Sequence, residues 1–101
     1  MAFATWTSTA DAEDIRHAIE RELASTGFII DEFGTTAMQI FALKRPGQAA
    51  NRFSSVRLVA SWEDRKDKKL RIELRSDEPA LIAMSYCNKS AKELQAVLPP
   101  A

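Results

Sequence analysis

The clearest pattern in the chain is Leu70-Arg71-Ile72-Glu73-Leu74-Arg75, a strict alternation of apolar and charged residues. That is the period of a strand buried on one face. Val56-Arg57-Leu58-Val59-Ala60-Ser61-Trp62 is nearly as regular, with Val56, Leu58, Ala60 and Trp62 on one side. Together they predict an antiparallel hairpin in which Trp62 faces Leu70, Ala60 faces Ile72 and Leu58 faces Leu74. A slip of one residue would turn Leu70, Ile72 and Leu74 to the wrong face, so the register is well specified. It pairs Glu63 with Lys69 and Asp64 with Lys68, and leaves Arg65-Lys66-Asp67 as a three-residue loop. It also sets Arg57 opposite Arg75, with Arg71 close by. Such crowding is unfavourable unless an acidic or anionic group lies across it.

The rest of the chain reads in order. Residues 2–7 carry Phe3, Thr5, Trp6 and Thr7, β-prone types that predict a short first strand. Ser8 or Thr9 then supplies the N-cap of a helix over 10–25. Its stripe is Ala12, Ile15, Ile19 and Leu23, Asp11, Glu13 and Asp14 suit the dipole of its first turn, and Arg16 and Glu20 pair on its wet side. Gly27 ends it as a C′ residue. Residues 28–33 predict a strand, Gly34-Thr35 a turn, and 37–43 a further strand. That strand is apolar on both faces, with Phe41 and Leu43 on one and Met38, Ile40 and Ala42 on the other. Such a strand is central or covered on its second side. Residues 44–51 form a loop with Pro46-Gly47 as its turn. Ser76-Asp77-Glu78-Pro79 is a helix start. Ala80, Ala83, Met84, Cys87, Ala91, Leu94 and Leu98 then trace one stripe, which predicts a single helix over about 79–97. The capping box Ser90-x-x-Glu93 offers the alternative of two shorter helices with a break there.

The element order is therefore β-α-β-β-β-β-α. Four consecutive strands form an antiparallel meander, which the first strand joins. Both amphipathic helices find their only large apolar partner in one face of that sheet. The expected fold is a two-layer α+β domain spanning 1–101, an antiparallel sheet of about five strands with two helices on one face. The same order occurs in folds where a curved sheet grips a long helix, the TATA-box-binding type among them. That is an analogy of topology, and no residue motif carries a family resemblance.

Composition narrows the class. At 101 residues, 46% hydrophobic and 28% charged, the chain supports one modest core and is too apolar for disorder. No apolar run approaches the ~20 residues that cross a bilayer, and the N-terminus lacks the pattern of a secretion signal, so a cytoplasmic protein is expected. Cys87 and His17 are the only residues of their types. They predict no internal disulfide, no metal site and no cofactor. Net charge is zero but uneven. Residues 1–43 hold two basic and seven acidic residues, net −5; residues 44–75 hold ten and four, net +6; residues 76–101 hold two and three, net −1. The basic hairpin either neutralises the acidic first helix or forms an anion-binding face.

Catalytic sets are hard to assemble from these residues. His17 lies off the apolar stripe of its helix, and Cys87 lies on the buried stripe of the second. Asp31-Glu32 precedes a turn, Asp77-Glu78 caps a helix, and no Gly-rich phosphate loop occurs. The expectation is a non-enzymatic module. Arg57, Val59, Ser61, Arg71, Glu73 and Arg75 point away from the helices, and if Phe41 and Leu43 face the helices then Met38, Ile40 and Lys44 join that outer face. The candidate binding residues are Lys44, Arg52, Arg57, Val59, Arg71 and Arg75. The favoured occupant is a protein partner or a second copy of the chain, since apolar residues edged by arginine suit protein contacts. One alternative is nucleic acid held by the basic hairpin 52–75 and the 44–52 loop, with Phe53, Trp62 or Trp6 as stacking platforms. An inward Trp62 and zero net charge count against it. The other is a small ligand between sheet and C-terminal helix, lined by Met84 and Phe41.

Overall fold

The computed structural model describes residues 2–9, 15–36, 38–45, 55–62, 69–78 and 85–100. Their elements are β1 (Ala2–Thr9), α1 (Ile15–Ser25), β2 (Ile29–Thr36), β3 (Gln39–Lys44), β4 (Val56–Ser61), β5 (Lys69–Ser76) and α2 (Tyr86–Val97). The five strands make one antiparallel sheet in the order β1-β5-β4-β3-β2. Strands β2 to β5 are the expected meander, and β1 closes the far edge beside β5.

The hairpin has the register its alternation demands: Leu58 faces Leu74, Ala60 faces Ile72 and Arg57 faces Arg75. Magnitudes explain why. Leu70, Ile72 and Leu74 are all essentially buried, and each contributes about 1.5–3 kcal/mol by leaving water. Setting two arginines opposite one another costs roughly 0.2–1 kcal/mol. The apolar term wins, and the arginines accept their places. The turn 65–67 and the pairings made by Glu63 and Asp64 lie outside the described residues.

One face of the sheet carries the core. Ile40, Ala42, Val56, Leu58, Leu74 and Trp6 are buried there against Ile15, Ile19 and Leu23 of α1 and Cys87, Ala91 and Leu94 of α2. Arg16 and Glu20 pair on the wet side of α1 at 3.0 Å. The end of α1 is a Schellman arrangement. Phe28 N–H donates to Leu23 C=O at 2.9 Å and Gly27 N–H to Ala24 C=O at 3.2 Å. Gly27 has φ +89°, which a side chain would strain.

Several local expectations need correction. Ser8 and Thr9 are the last residues of β1, whereas the expected start of the first helix over 10–14, with Asp11, Ala12, Glu13 and Asp14, lies outside the described residues. Ser8 is buried and its Oγ donates to Pro99 C=O at 2.6 Å, while Trp6 Nε1 donates to Leu98 C=O at 2.9 Å. The chain's end thus runs back along β1, and this distant partner extends the strand. Gly34 and Thr35 do not turn the chain either. They lie within β2, where the ladder to β3 shifts between Asp31 and Thr36.

The second helix differs most. Ser85 has extended backbone, φ −60° and ψ 153°, and its Oγ accepts Asn88 N–H, so α2 begins at Tyr86 rather than near 79. Nor does the helix break at Ser90, which lies inside it. The carboxylate of Glu78 completes the cap, accepting Tyr86 N–H at 2.8 Å, Cys87 N–H at 3.0 Å and Ser76 Oγ–H at 2.8 Å. With Asn88 N–H on Ser85 Oγ, three first-turn donors that the helix itself leaves open are satisfied. The stretch 79–84, with Ala80, Ala83 and Met84, lies outside the described residues.

Candidate functional site

The outer face is laid out in rows by the strand registers. One row runs Ile29, Leu43, Arg57, Arg75, Phe3; the next runs Asp31, Phe41, Val59, Glu73, Thr5. Beyond it come Gln39, Ser61, Arg71 and Thr7. Because successive side chains alternate across a sheet, none of these can share a face with the buried Leu58, Ile72 or Ala42. Neither described helix covers them, since both pack on the opposite face.

This parity settles β3. Phe41 and Leu43 turn outward, while Ile40 and Ala42 are buried beneath the helices. Phe41 therefore cannot line a cavity under α2, as the small-ligand alternative required. Lys44 is on the helix side too, opposite buried Val56. Its ammonium lies 2.9 Å from Glu93 of α2 and over the rings of Phe28 and Tyr86, at 5.7 and 5.5 Å. Its side chain is only 12% exposed. Lys44 thus joins sheet to helix and does not belong to the outer surface.

Of the remaining candidates, Arg57, Val59, Arg71 and Arg75 share the outer face, and Arg52 lies outside the described residues. The crowding of the three arginines is relieved by acids of the same chain. Arg57 Nη2 is 3.1 Å from Asp77 Oδ1, Arg71 Nη2 is 3.2 Å from Glu73 Oε1, and Arg75 Nη2 is 3.9 Å from Glu73 Oε2. Arg75 also lies over the Phe3 ring at 5.3 Å. All three guanidinium side chains are more than half exposed, so each pair contributes about 0–1 kcal/mol and exchanges partners cheaply.

Between these charges the face is concave. A hollow of about 550 Å³ is lined by Asp31, Phe41, Leu43, Arg57, Val59, Glu73 and Arg75, among others. Its floor is apolar and its walls carry both signs of charge. At the β2 end the irregular stretch rises against it, with Gly34 packed on the Phe41 ring. Asp31 shapes that rise: its Oδ1 accepts Phe33 N–H at 3.0 Å, and its carbonyl accepts Thr35 Oγ–H at 2.8 Å. Ile29 is 71% exposed and Phe33 fully so. Ile29, Phe3 and Asp31 are outer-face residues that pattern alone did not bring forward. Residues 28–33 read as a strand, but nothing in their order told which side Ile29 faces.

The other candidates for chemistry sit elsewhere. His17 is exposed on α1. Cys87 is buried, and burial pushes its thiol pKa up, with the nearby Glu78 charge adding to the effect. A thiol so placed is poorly nucleophilic. Trp6 and Trp62 are both in the core, and Phe53 is outside the described residues. No helix of the described residues is long and apolar enough to cross a membrane. No protein-family model matches the chain, and neither does any curated protein.

Proposed function

We propose that this protein is a non-enzymatic binding or assembly module whose protein partner docks on the outer, arginine-bearing face of the sheet. One observation carries the reading: the sheet face opposite both described helices holds a hollow of about 550 Å³ with Phe41, Leu43 and Val59 at its base and Arg57 and Arg75 beside it. An apolar centre with arginine and mixed charge at the rim is the composition of a protein-binding patch. Nucleic-acid binding through 52–75 is less well supported. Arg57, Arg71 and Arg75 are matched by Asp77 and Glu73, and both tryptophans are buried. A phosphate backbone favours unmatched cations and exposed aromatic faces.

The test is site-specific photo-cross-linking in the source cells, with a photoreactive side chain at Val59 on the outer face or at Lys92 on α2. Discrete protein adducts at Val59 and none at Lys92 are expected. Equal adducts at both positions, or none at Val59, would overturn the reading.

A further inference from the structure

We infer that the partner is a second copy of this chain, docked sheet to sheet about a twofold axis that runs across the strands at the level of Leu74. The inference rests on the outer face being the docking surface and names its occupant. Its basis is the charge order along β5. The outward residues read Arg71, Glu73, Arg75, and Asp77 follows on the same side, where it pairs with outward Arg57. Positive and negative alternate, and the series is antisymmetric about Leu74. Turned end for end about Leu74, Arg75 falls on Glu73 and Arg71 falls on Asp77. A strand of this kind is complementary to its own reverse, which is what an isologous interface requires.

The neighbouring strands agree. Ala4, Leu74, Leu58 and Ala42 form one row across the sheet, and the axis follows it. Rotation about that row lays Leu43 over the other copy's Phe41 and Arg57 over its Val59. The two Arg57–Arg75 rows are kept apart. An axis parallel to the strands would stack those rows on each other, and like charges facing across an interface select against it. The guanidinium ends of the ion pairs now made within each chain are more than half exposed, so trading them for pairs between copies costs little.

Pairing through the free edge of β2 fits less well. Five strands about 4.8 Å apart and six to eight residues long present a face of about 20 by 25 Å. Its projected area is roughly 500 Å², and side-chain relief brings it to the low end of stable interfaces, about 600 Å² per partner. The β2 edge, by contrast, is interrupted between Asp31 and Thr36, and such irregularities blunt edge pairing. Docking of the faces also gives Ile29, exposed beside Leu43 on the outer face, an apolar surface to meet.

Sedimentation equilibrium over a concentration series tests this with three proteins. The wild type is expected to be a dimer. Glu73→Arg is expected to weaken it by about a hundredfold or more, because one sign of charge then faces itself. The exchange Glu73→Arg with Arg75→Glu restores the antisymmetric order and is expected to restore the dimer, which a variant that merely misfolds would not do. A wild type monomeric at every concentration, or a Glu73→Arg dimer as tight as wild type, overturns the inference. If the wild type is monomeric while the Val59 cross-linker still captures another protein, the second copy is wrong and the outer face stands. If it captures nothing, both fall.

Discussion

Gly34 lies so close to Phe41 that a Cβ built on it would stand 2.5 Å from Phe41 Cδ2 and 2.8 Å from Cγ. Nonbonded carbons do not approach so closely, so a side chain there displaces the ring. Phe41 is part of the lining of the outer hollow, and the glycine lets β2 close down on it.

Gly34→Ala is therefore expected to destabilise the protein by about 1–3 kcal/mol. With Phe41→Ala in the background, much of that loss should vanish, since the two residues are coupled through one contact. Urea unfolding of the four proteins in the cycle checks it. Additive effects would mean that the ring accommodates a methyl without cost.

Stability should depend on acid through Glu78. Burial raises its pKa, but the hydrogen bonds from Tyr86 N–H, Ser76 Oγ–H and Cys87 N–H outweigh that, and the net shift is downward from 4.5. The folded protein thus prefers the carboxylate. Its stabilising contribution is complete above the unfolded value and is lost as pH falls through the lower, folded one. Glu78→Gln is expected to cost about 1 kcal/mol at neutral pH, the usual worth of a helix cap. Thermal melts between pH 7 and pH 2 should show the two proteins converging as the wild-type carboxylate protonates. A constant gap down to the lowest pH would contradict the assignment.

The end of the chain should matter although it belongs to no helix. Trp6 Nε1–H and Ser8 Oγ–H both donate to carbonyls at 98–99. Trp6→Phe removes one donor from a buried carbonyl and some packing, and is expected to lower stability by about 1–2 kcal/mol. An unchanged urea midpoint would show that residues 98–100 dock without this bond.

Much of the fold was legible because its strongest signals were local and periodic. Leu58, Leu74 and their neighbours alternate so cleanly that only one register buries them. Ile15, Ile19 and Leu23 recur at helical spacing and leave α1 one face to hide. The misses share a cause: each depends on a contact outside the local repeat of its element, so no periodic pattern marks it. Ser8 looks like an N-cap until Pro99 comes beside it. Ala80, Ala83 and Met84 continue the apolar stripe of α2, which conceals that Glu78 reaches over to cap at Tyr86 and Cys87. Gly34 next to Thr35 has turn composition, yet its smallness serves the approach to Phe41. The site was legible in part for the same reason. Arg57, Val59, Arg71 and Arg75 followed from alternation, whereas Lys44 was misplaced because β3 is apolar on both sides and its parity shows only once Ile40 is seen against Ala60.

Radical footprinting, compared between living cells and dilute purified protein, is the most direct measure of whether the outer face is occupied. Phe3 and Ile29 are exposed on that side, at 47% and 71%, and Tyr86 on α2 is a control on the other. A docked face predicts that Phe3 and Ile29 are protected in cells while Tyr86 reacts as it does in dilute solution. Labelling of Phe3 and Ile29 that is the same in both settings would contradict it.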